Sequence, residues 1–333
     1  MAKSKTLTLS EVDSIERWDA FVEQSAEGTI FSTSQYLNAS GLNYKNYFVK
    51  SGGQEVVAGL SLILSKDGSK CLLDDLVIYN GLLFSKPQAN MNQPKIISNQ
   101  FDIATWVAEE LAKIYPNSEI SLSPAFKDIR PFLWFNYHEP STKKYTVDVR
   151  YTSYLQLQDA SLLKQDTEIS IFQELGYSRR QEIKYSARDG LVAEVSEDWG
   201  TLIELYQLTM AKYDTLVPEE KKKSLLKIME TLYQDGKGYL YLIKKSDGTA
   251  ISAAYFCIDN KRAYYLWGAN HPLEKTSSSG TRVLWDAFRH LGDLGVREVD
   301  MEGVNSPDRG WFKLTFGGDL RPYYELSLGL TNV

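Results

Sequence analysis

Apolar positions in the second half of the chain recur with two periods. In residues 219–234 Leu225, Ile228, Met229 and Leu232 fall at helical spacing, and in 199–214 Leu202, Leu205, Tyr206 and Met210 do the same. Each set lies on one face and predicts an amphipathic helix. Gly236 and Gly238 close the second one, and three short apolar runs follow, at 239–245, 250–258 and 263–269. Ser246-Asp247-Gly248 and Asp259-Asn260 have turn chemistry, so the runs read as an antiparallel meander. Beyond it come a Ser-rich loop and a helix carrying Leu284, Ala287, Phe288 and Leu291. A strand at 296–302, a loop or short helix, and a last strand near 323–328 complete the half. Upstream, Ser178 with Gln181 forms a capping box and Gly190 a stop, which predicts a helix over 179–189, followed by a strand at 191–195.

The first half repeats this order more faintly. Helical pattern covers 15–24 and 101–114, and strand pattern covers 47–50, 55–64, part of 71–78, and 119–122. Tyr145, Val147 and Val149 alternate within a segment, 143–157, that reads as one or two linked strands. Two α+β units of similar plan fit this pattern, with a boundary near that segment: 1–150 and 151–333, the last strand being free to return to the first unit.

Composition removes several alternatives. The 333 residues suit about two domains of typical size, and 43% hydrophobic with 24% charged residues is a globular composition. Two cysteines, Cys71 and Cys257, and three histidines allow neither a disulfide framework nor a multi-Cys zinc site, so no metal is expected. The net charge of −6 argues against a surface that grips DNA. The N-terminal residues lack the apolar core of a secretory signal. The best apolar run, 56–64, is far short of the roughly 18 residues of a membrane span. A soluble, cytoplasmic protein without a membrane partner is expected.

Four clusters are candidates for chemistry. Arg179, Arg180, Lys184 and Arg188 lie on one short helix, where 180, 184 and 188 share a face; they suit a phosphate or a plain solvated surface. The loop Lys275-Thr276-Ser277-Ser278-Ser279-Gly280-Thr281 opens a helix and offers free amides to an anion, or is simple capping. Asp300 and Glu302, two apart on a strand, face the same side. Burial and mutual repulsion would raise one pKa toward that of a general base, unless both face solvent or pair with Arg309 or Lys313. The segment 128–140, with Arg130, Asn136 and His138 among aromatics, suits a nucleobase or sugar face, or forms an aromatic plug. No Gly-x-Ser-x-Gly elbow occurs, and both cysteines sit in apolar strands, which disfavours nucleophilic hydrolysis.

The order of elements from 191 to 328 resembles the GNAT acyltransferase fold, and the tandem plan resembles the FemAB type. Ser178-Arg179-Arg180-Gln181-Glu182-Ile183-Lys184 with Asp189-Gly190 resembles the basic segment opening the second domain of that family. Phe312-Lys313 with Phe316-Gly317-Gly318 resembles its C-terminal signature. The CoA-loop pattern is reduced to the turn at Gly280, and no insertion corresponds to the helical hairpin used with tRNA. The resemblance implies two GNAT-like α+β domains in tandem, each a mixed, mostly antiparallel sheet flanked by helices. It implies transfer of an acyl group from acyl-CoA to the amine of a dTDP- or UDP-linked amino sugar, for lipopolysaccharide or other surface polysaccharide. Asp300 or Glu302 would be the base, and Lys313 would stabilise the oxyanion or anchor a phosphate. Trp267, Gly268 and Ala269 would line the pantetheine, and Ser278, Ser279, Gly280 and Thr281 would hold the CoA pyrophosphate. Arg130, Asn136, His138, Arg179, Arg180, Lys184, Asn305 and Arg309 would take the nucleotide sugar, between the domains. The alternatives are an aminoacyl-tRNA-dependent transferase acting on peptidoglycan precursors and a non-catalytic GNAT-like binding protein.

Overall fold

A computed structural model describes residues 6–211, 215–273, 276 and 278–329. In chain order the elements are β1 (Leu7–Glu11), α1 (Ile15–Gln24), α2 (Ser34–Ser40), β2 (Tyr44–Ser51), β3 (Glu55–Ile63), β4 (Gly81–Phe84), α3 (Gln93–Ile114), β5 (Ser118–Leu122), α4 (Arg130–Leu133) and β6 (Tyr145–Gln156). They continue with α5 (Ser170–Glu174), α6 (Tyr177–Arg188), β7 (Glu194–Ser196), α7 (Trp199–Ala211), α8 (Glu219–Gln234), β8 (Gly238–Lys244), β9 (Ala250–Ile258), β10 (Ala263–Asn270), α9 (Ser279–Asp293), β11 (Glu298–Asp300), α10 (Pro307–Leu314) and β12 (Asp319–Leu328). The chain divides into two compact units, 1–150 with 322–333, and 151–321. Strands β6 and β12 each run through a boundary.

In the first unit β1 to β4 form an antiparallel sheet in sequence order. Helix α1 closes on it where Gly59 has no side chain; a Cβ there would lie 2.6 Å from the Phe21 ring and 2.8 Å from Trp18. Trp18 is anchored by its indole N–H, which donates to the Ser32 carbonyl at 2.7 Å. The strand expected within 71–78 is not one. Cys71 makes only isolated bridges to Leu64 and Ser118, and the fourth strand is β4. The backbone of this segment bonds locally and to 117–121 instead: Val77 to Asp74 and Asn80 to Ser121.

In the second unit the strands run in the order β6-β11-β10-β9-β8-β7. The meander β8-β9-β10 is antiparallel, whereas β10 and β11 are parallel. A parallel neighbour requires a crossover, and α9 supplies it. Its apolar stripe Leu284, Ala287, Phe288 and Leu291 is fully buried, with the Phe288 ring against Phe256 and Phe316 at 6.0 and 5.6 Å. The helix is buried on its polar side too. Arg282 Nε donates to Asp286 at 2.8 Å, and Arg289 and the Trp285 indole both donate to Asp166, at 3.0 and 2.8 Å. Buried charges are tolerated there because each has an opposite partner.

Two expected boundaries shift. The capping box does not form: α6 begins at Tyr177 after an N-cap at Gly176 that makes no side-chain cap bond. Gly176 donates instead to the Thr315 carbonyl at 2.8 Å, which starts the helix two residues early. The strand expected at 191–195 is displaced to β7, where 194–196 pair with β8. Asp214, placed at the end of a helix, lies outside the described residues.

Candidate active site

Strands β10 and β11 pair only through Ala263–Val299 and Tyr264–Asp300. β10 continues for six more residues, still paired with β9 on its other side, with a bulge between Tyr265 and Trp267. Its β11-facing backbone edge is therefore open from Tyr265 onward. At the mouth of this divergence β11 ends at Asp300, and the sequence expectation that Asp300 and Glu302 share a strand face fails. Glu302 lies beyond the strand with φ +52°. A side chain in that region is strained by about 1–2 kcal/mol, so something must hold it. Asp300 does: its Oδ1 accepts the Glu302 backbone N–H at 2.8 Å and also the Thr152 hydroxyl of β6.

Both carboxyl groups are buried, Glu302 with 4% exposure and Asp300 with none, but their environments differ. Asp300 is hydrogen-bonded. Glu302 Oε1 has no partner among the described residues. Burial pushes the Glu302 carboxyl well above the usual range, the Asp300 charge adds to this, and the Lys313 ammonium opposes it. Lys313 moves the other way: burial lowers its pKa, and the two carboxylates hold it up. Its Nζ donates to the Gly303 carbonyl at 3.4 Å and lies 5.1 Å from the centre of the Tyr265 ring.

Helix α10 positions Lys313 through its neighbours. Phe312 and Phe316 pack edge to face at 5.4 Å, and Phe316 is buried against α9. Gly317 then turns the chain with φ +86°, where a Cβ would lie 2.8 Å from the Glu174 carbonyl oxygen. The Phe-Lys and Phe-Gly-Gly residues thus fix the end of α10 that carries Lys313.

The other expected site residues fall into distinct settings. Trp267 stacks on Tyr255, ring centres 5.4 Å apart. Gly268 gives room for the Tyr265 hydroxyl, which a Cβ would approach to 1.8 Å. Ala269 is buried on the same open-edged strand. Ser278 is the N-cap of α9, and Ser279, Gly280 and Thr281 are its first turn, with no side-chain cap on the helix amides. Lys275 and Ser277 lie outside the described residues. The Thr281 hydroxyl is taken up by Glu182, and Arg179 binds both, at 2.5 Å to Thr281 and 2.8 Å to Glu182, while its guanidinium covers the Phe312 ring at 4.7 Å. Arg179 is thus a strut between α6, α9 and α10. Arg180 donates to the Gln173 carbonyl at 3.1 Å. Lys184 and Arg309 are exposed and make no hydrogen bond or ion pair with another described residue. Asn305 spends its amide on the backbone of Tyr151, accepting its N–H at 2.7 Å and donating to its carbonyl at 3.0 Å, which extends β6 past its partner strand.

In the first unit Arg130 is held by Asp128 through two hydrogen bonds, at 2.8 and 2.6 Å. Asn136 occupies a left-handed turn, φ +54°, and donates to the Lys143 carbonyl. His138 is exposed beside Tyr137. Arg130 and Asn136 are thus occupied locally. Two residues absent from the sequence expectations adjoin the carboxylates: Thr152 and Tyr265. Thr152 is 148 positions from its partner, and only the register of β6 on β11 reveals it. Tyr265 stacks on Phe256 at 5.2 Å, and burial together with the Glu302 charge pushes its hydroxyl pKa up. Tyr265 lies two residues upstream of the stretch Trp267 to Ala269 that the sequence singles out.

Among the described residues no three potential ligands gather to hold a metal, and no helix is long and apolar enough to cross a membrane.

Residues 176–311 match the family described as Acetyltransferase (GNAT) domain. No curated protein matches the chain. Among solved structures, FemX superposes with a TM-score of 0.62 at 14% identity, covering 95% of this chain and 96% of its own. A conserved protein of unknown function from Bacteroides thetaiotaomicron VPI-5482 gives 0.59 at 9%, covering 97% and 100%. A tandem GNAT protein from the clavulanic acid biosynthesis pathway gives 0.54 at 11%, covering 98% and 100%. The chain therefore carries an acetyltransferase (GNAT) domain over 176–311, within an α+β fold like that of tandem GNAT proteins, and is an acyltransferase.

Proposed function

We propose that the protein transfers an acyl group from acyl-CoA to the amine of a nucleotide-linked amino sugar, with Glu302 as the general base. The observation that carries the base assignment is the buried Glu302 carboxyl, whose Oε1 has no hydrogen-bond partner among the described residues and whose pKa burial and Asp300 raise. A base works best when its pKa approaches the working pH, and a carboxylate reaches that range only in such a setting. Asp300 is the positioning residue, because its oxygen is occupied in holding the Glu302 backbone and Thr152.

In the reaction the acceptor ammonium gives its proton to Glu302, and the free amine attacks the thioester carbonyl. The C–N bond forms, the C–S bond breaks, and the proton that the new amide nitrogen loses passes to the leaving thiolate to give the free thiol. Lys313, with its pKa lowered by burial, supplies an N–H to the developing oxyanion. The open edge of β10 offers backbone groups to an extended donor, and the uncapped start of α9 offers amides to its phosphates. The unpaired cations Lys184 and Arg309 are suited to an anionic acceptor such as a nucleoside diphosphate sugar.

Titration calorimetry against acetyl-CoA, a dTDP- or UDP-amino sugar and aminoacyl-tRNA, paired with a mass-spectrometric product assay, tests this reading. Thioester and nucleotide-sugar binding with formation of the N-acyl sugar is expected. Absence of thioester binding refutes the donor assignment, and turnover only with charged tRNA supports the peptidoglycan-precursor transferase instead.

A further inference from the structure

The aromatic segment 128–140 plays no part in the chemistry above, and its surface has an unusual make-up. We propose that the face formed by α4, the loop after it and the first turns of α3 docks on an anionic lipid bilayer. A groove of about 470 Å³ runs there between Pro94, Ile97, Ser98, Phe101, Arg130 and Trp134. Around it Ile97, Leu133, Trp134 and Tyr137 are 43%, 47%, 51% and 63% exposed. Ile97 and Trp134 line the groove itself, and Leu133 and Tyr137 are exposed on the same short segment as Trp134, which exceeds the scattered apolar exposure of an ordinary surface.

The charges around this face point to the partner. Lys95, Lys127, Lys143 and Lys144 are all exposed. Lys95 and Lys127 make no side-chain bond to a described residue, and Lys143 and Lys144 reach only neutral oxygens. Over 93–102 and 127–144 Asp128 is bound by Arg130, which leaves Asp102 and Glu139 against Lys95, Lys127 and Lys144, while Lys143 reaches away to Pro116 and Asn117 past the far end of α3. In a chain of net charge −6 this is a local reversal of sign. Trp and Tyr at the level of the headgroups, aliphatic side chains beside them and flanking lysines are the pattern of interfacial membrane binding. A nucleic acid fits less well. The one arginine is spent on Asp128 and on covering Phe101 and Trp134 at 5.3 and 5.5 Å, and Ile97 and Leu133 have no stacking surface. Peripheral docking of this kind needs no spanning helix, and it is independent of the acceptor named above.

The test is co-flotation of the full chain with phosphatidylcholine vesicles, with and without phosphatidylglycerol. Binding is expected only with the anionic lipid, and added salt should weaken it. The double substitution Trp134→Ala with Tyr137→Ala should lower the partition coefficient roughly tenfold, and Lys127→Ala roughly fivefold. These side chains are exposed, so the far-ultraviolet circular dichroism of each variant should match the parent. Equal binding to both vesicles, no binding, or variants indistinguishable from the parent would overturn the proposal. So would loss, in the same variants, of a tRNA gel shift or of a concentration-dependent dimer when vesicles are not bound.

Discussion

Glu302→Gln keeps the shape of the side chain and removes its charge, so it separates catalysis from folding. A positioned base contributes about 10²–10⁴ in rate, which is about 3–5 kcal/mol of barrier, and kcat/KM for the amine should fall by that factor. The pH profile carries more information than the rate. The wild-type acid limb should lie above the ordinary glutamate value of about 4.3, because burial and Asp300 both raise the Glu302 pKa. Asp300→Asn removes the repelling charge and should move that limb to lower pH. Lys313→Met removes the opposing cation and should move it to higher pH. Glu302→Gln should abolish it. Stopped-flow or coupled thiol-release assays of kcat/KM across pH measure all four proteins.

Stability should move in the opposite direction to activity. The folded pKa of Glu302 lies above its unfolded value, so the native state holds this proton more tightly. Its contribution is complete below about pH 4.3 and is lost as pH rises through the folded pKa. At neutral pH, above the unfolded pKa, the raised folded pKa is a cost to stability, and the neutral amide removes that cost. Glu302→Gln should therefore raise Tm, by about 2–4 °C for each kcal/mol recovered. Retention of wild-type kcat/KM in Glu302→Gln would refute the base assignment, as would Asp300→Asn and Lys313→Met shifting the limb in the same direction.

Three further outcomes follow from packing and charge. Gly268→Ala places a Cβ where the Tyr265 hydroxyl now sits, 1.8 Å away, and Tyr265 cannot swing freely while stacked on Phe256; steady-state kinetics should show a raised KM for the thioester without loss of fold. Arg309→Ala removes an exposed, unpaired cation four residues before Lys313, so KM for a diphosphate-bearing acceptor should rise about tenfold, with kcat nearly unchanged. Asp286→Ala removes the nearer of the two carboxylates on the buried Arg282 guanidinium, Asp166 remaining at 3.5 Å, and takes the acceptor from the Ala193 N–H. Urea unfolding should register a loss of about 1–3 kcal/mol.

Regular elements of the second unit were legible because their signals are local. Helix α8 and strand β9 occupy the same residues that periodicity and turn chemistry assign. Where tertiary bonds compete with local ones, the reading fails. Gly176 takes the N-cap of α6 from Ser178 because Thr315, 139 positions away, accepts its N–H. The segment at 71–78 has apolar pattern enough for a strand, yet its polar backbone finds partners in turns and single bridges. The cations of α6 were legible as a cluster but not in their roles. The helix-to-helix contacts that make Arg179 a strut and leave Lys184 free are set by α9 and α10, not by the spacing on α6.

The candidate site itself illustrates why carboxylates two apart did not behave as alternation requires. Gly303 is the residue that backbone sterics would choose for a left-handed φ, yet it does not adopt one, and its neighbour Glu302 does. The conformation is held by the Asp300 oxygen on the Glu302 N–H, and Asp300 is itself held by Thr152 from the adjacent strand. One carboxyl is thereby satisfied and fixed, while the other is left buried with an unpartnered oxygen beside a lysine. On a regular strand both would sit on one face in similar surroundings, and their pKa values would be separated only by mutual repulsion. The kink gives them different hydrogen bonding as well, and that asymmetry assigns one to structure and the other to proton transfer. Backbone strain of order 1–3 kcal/mol is tolerated where the surroundings over-determine it, and here it separates two chemically similar groups.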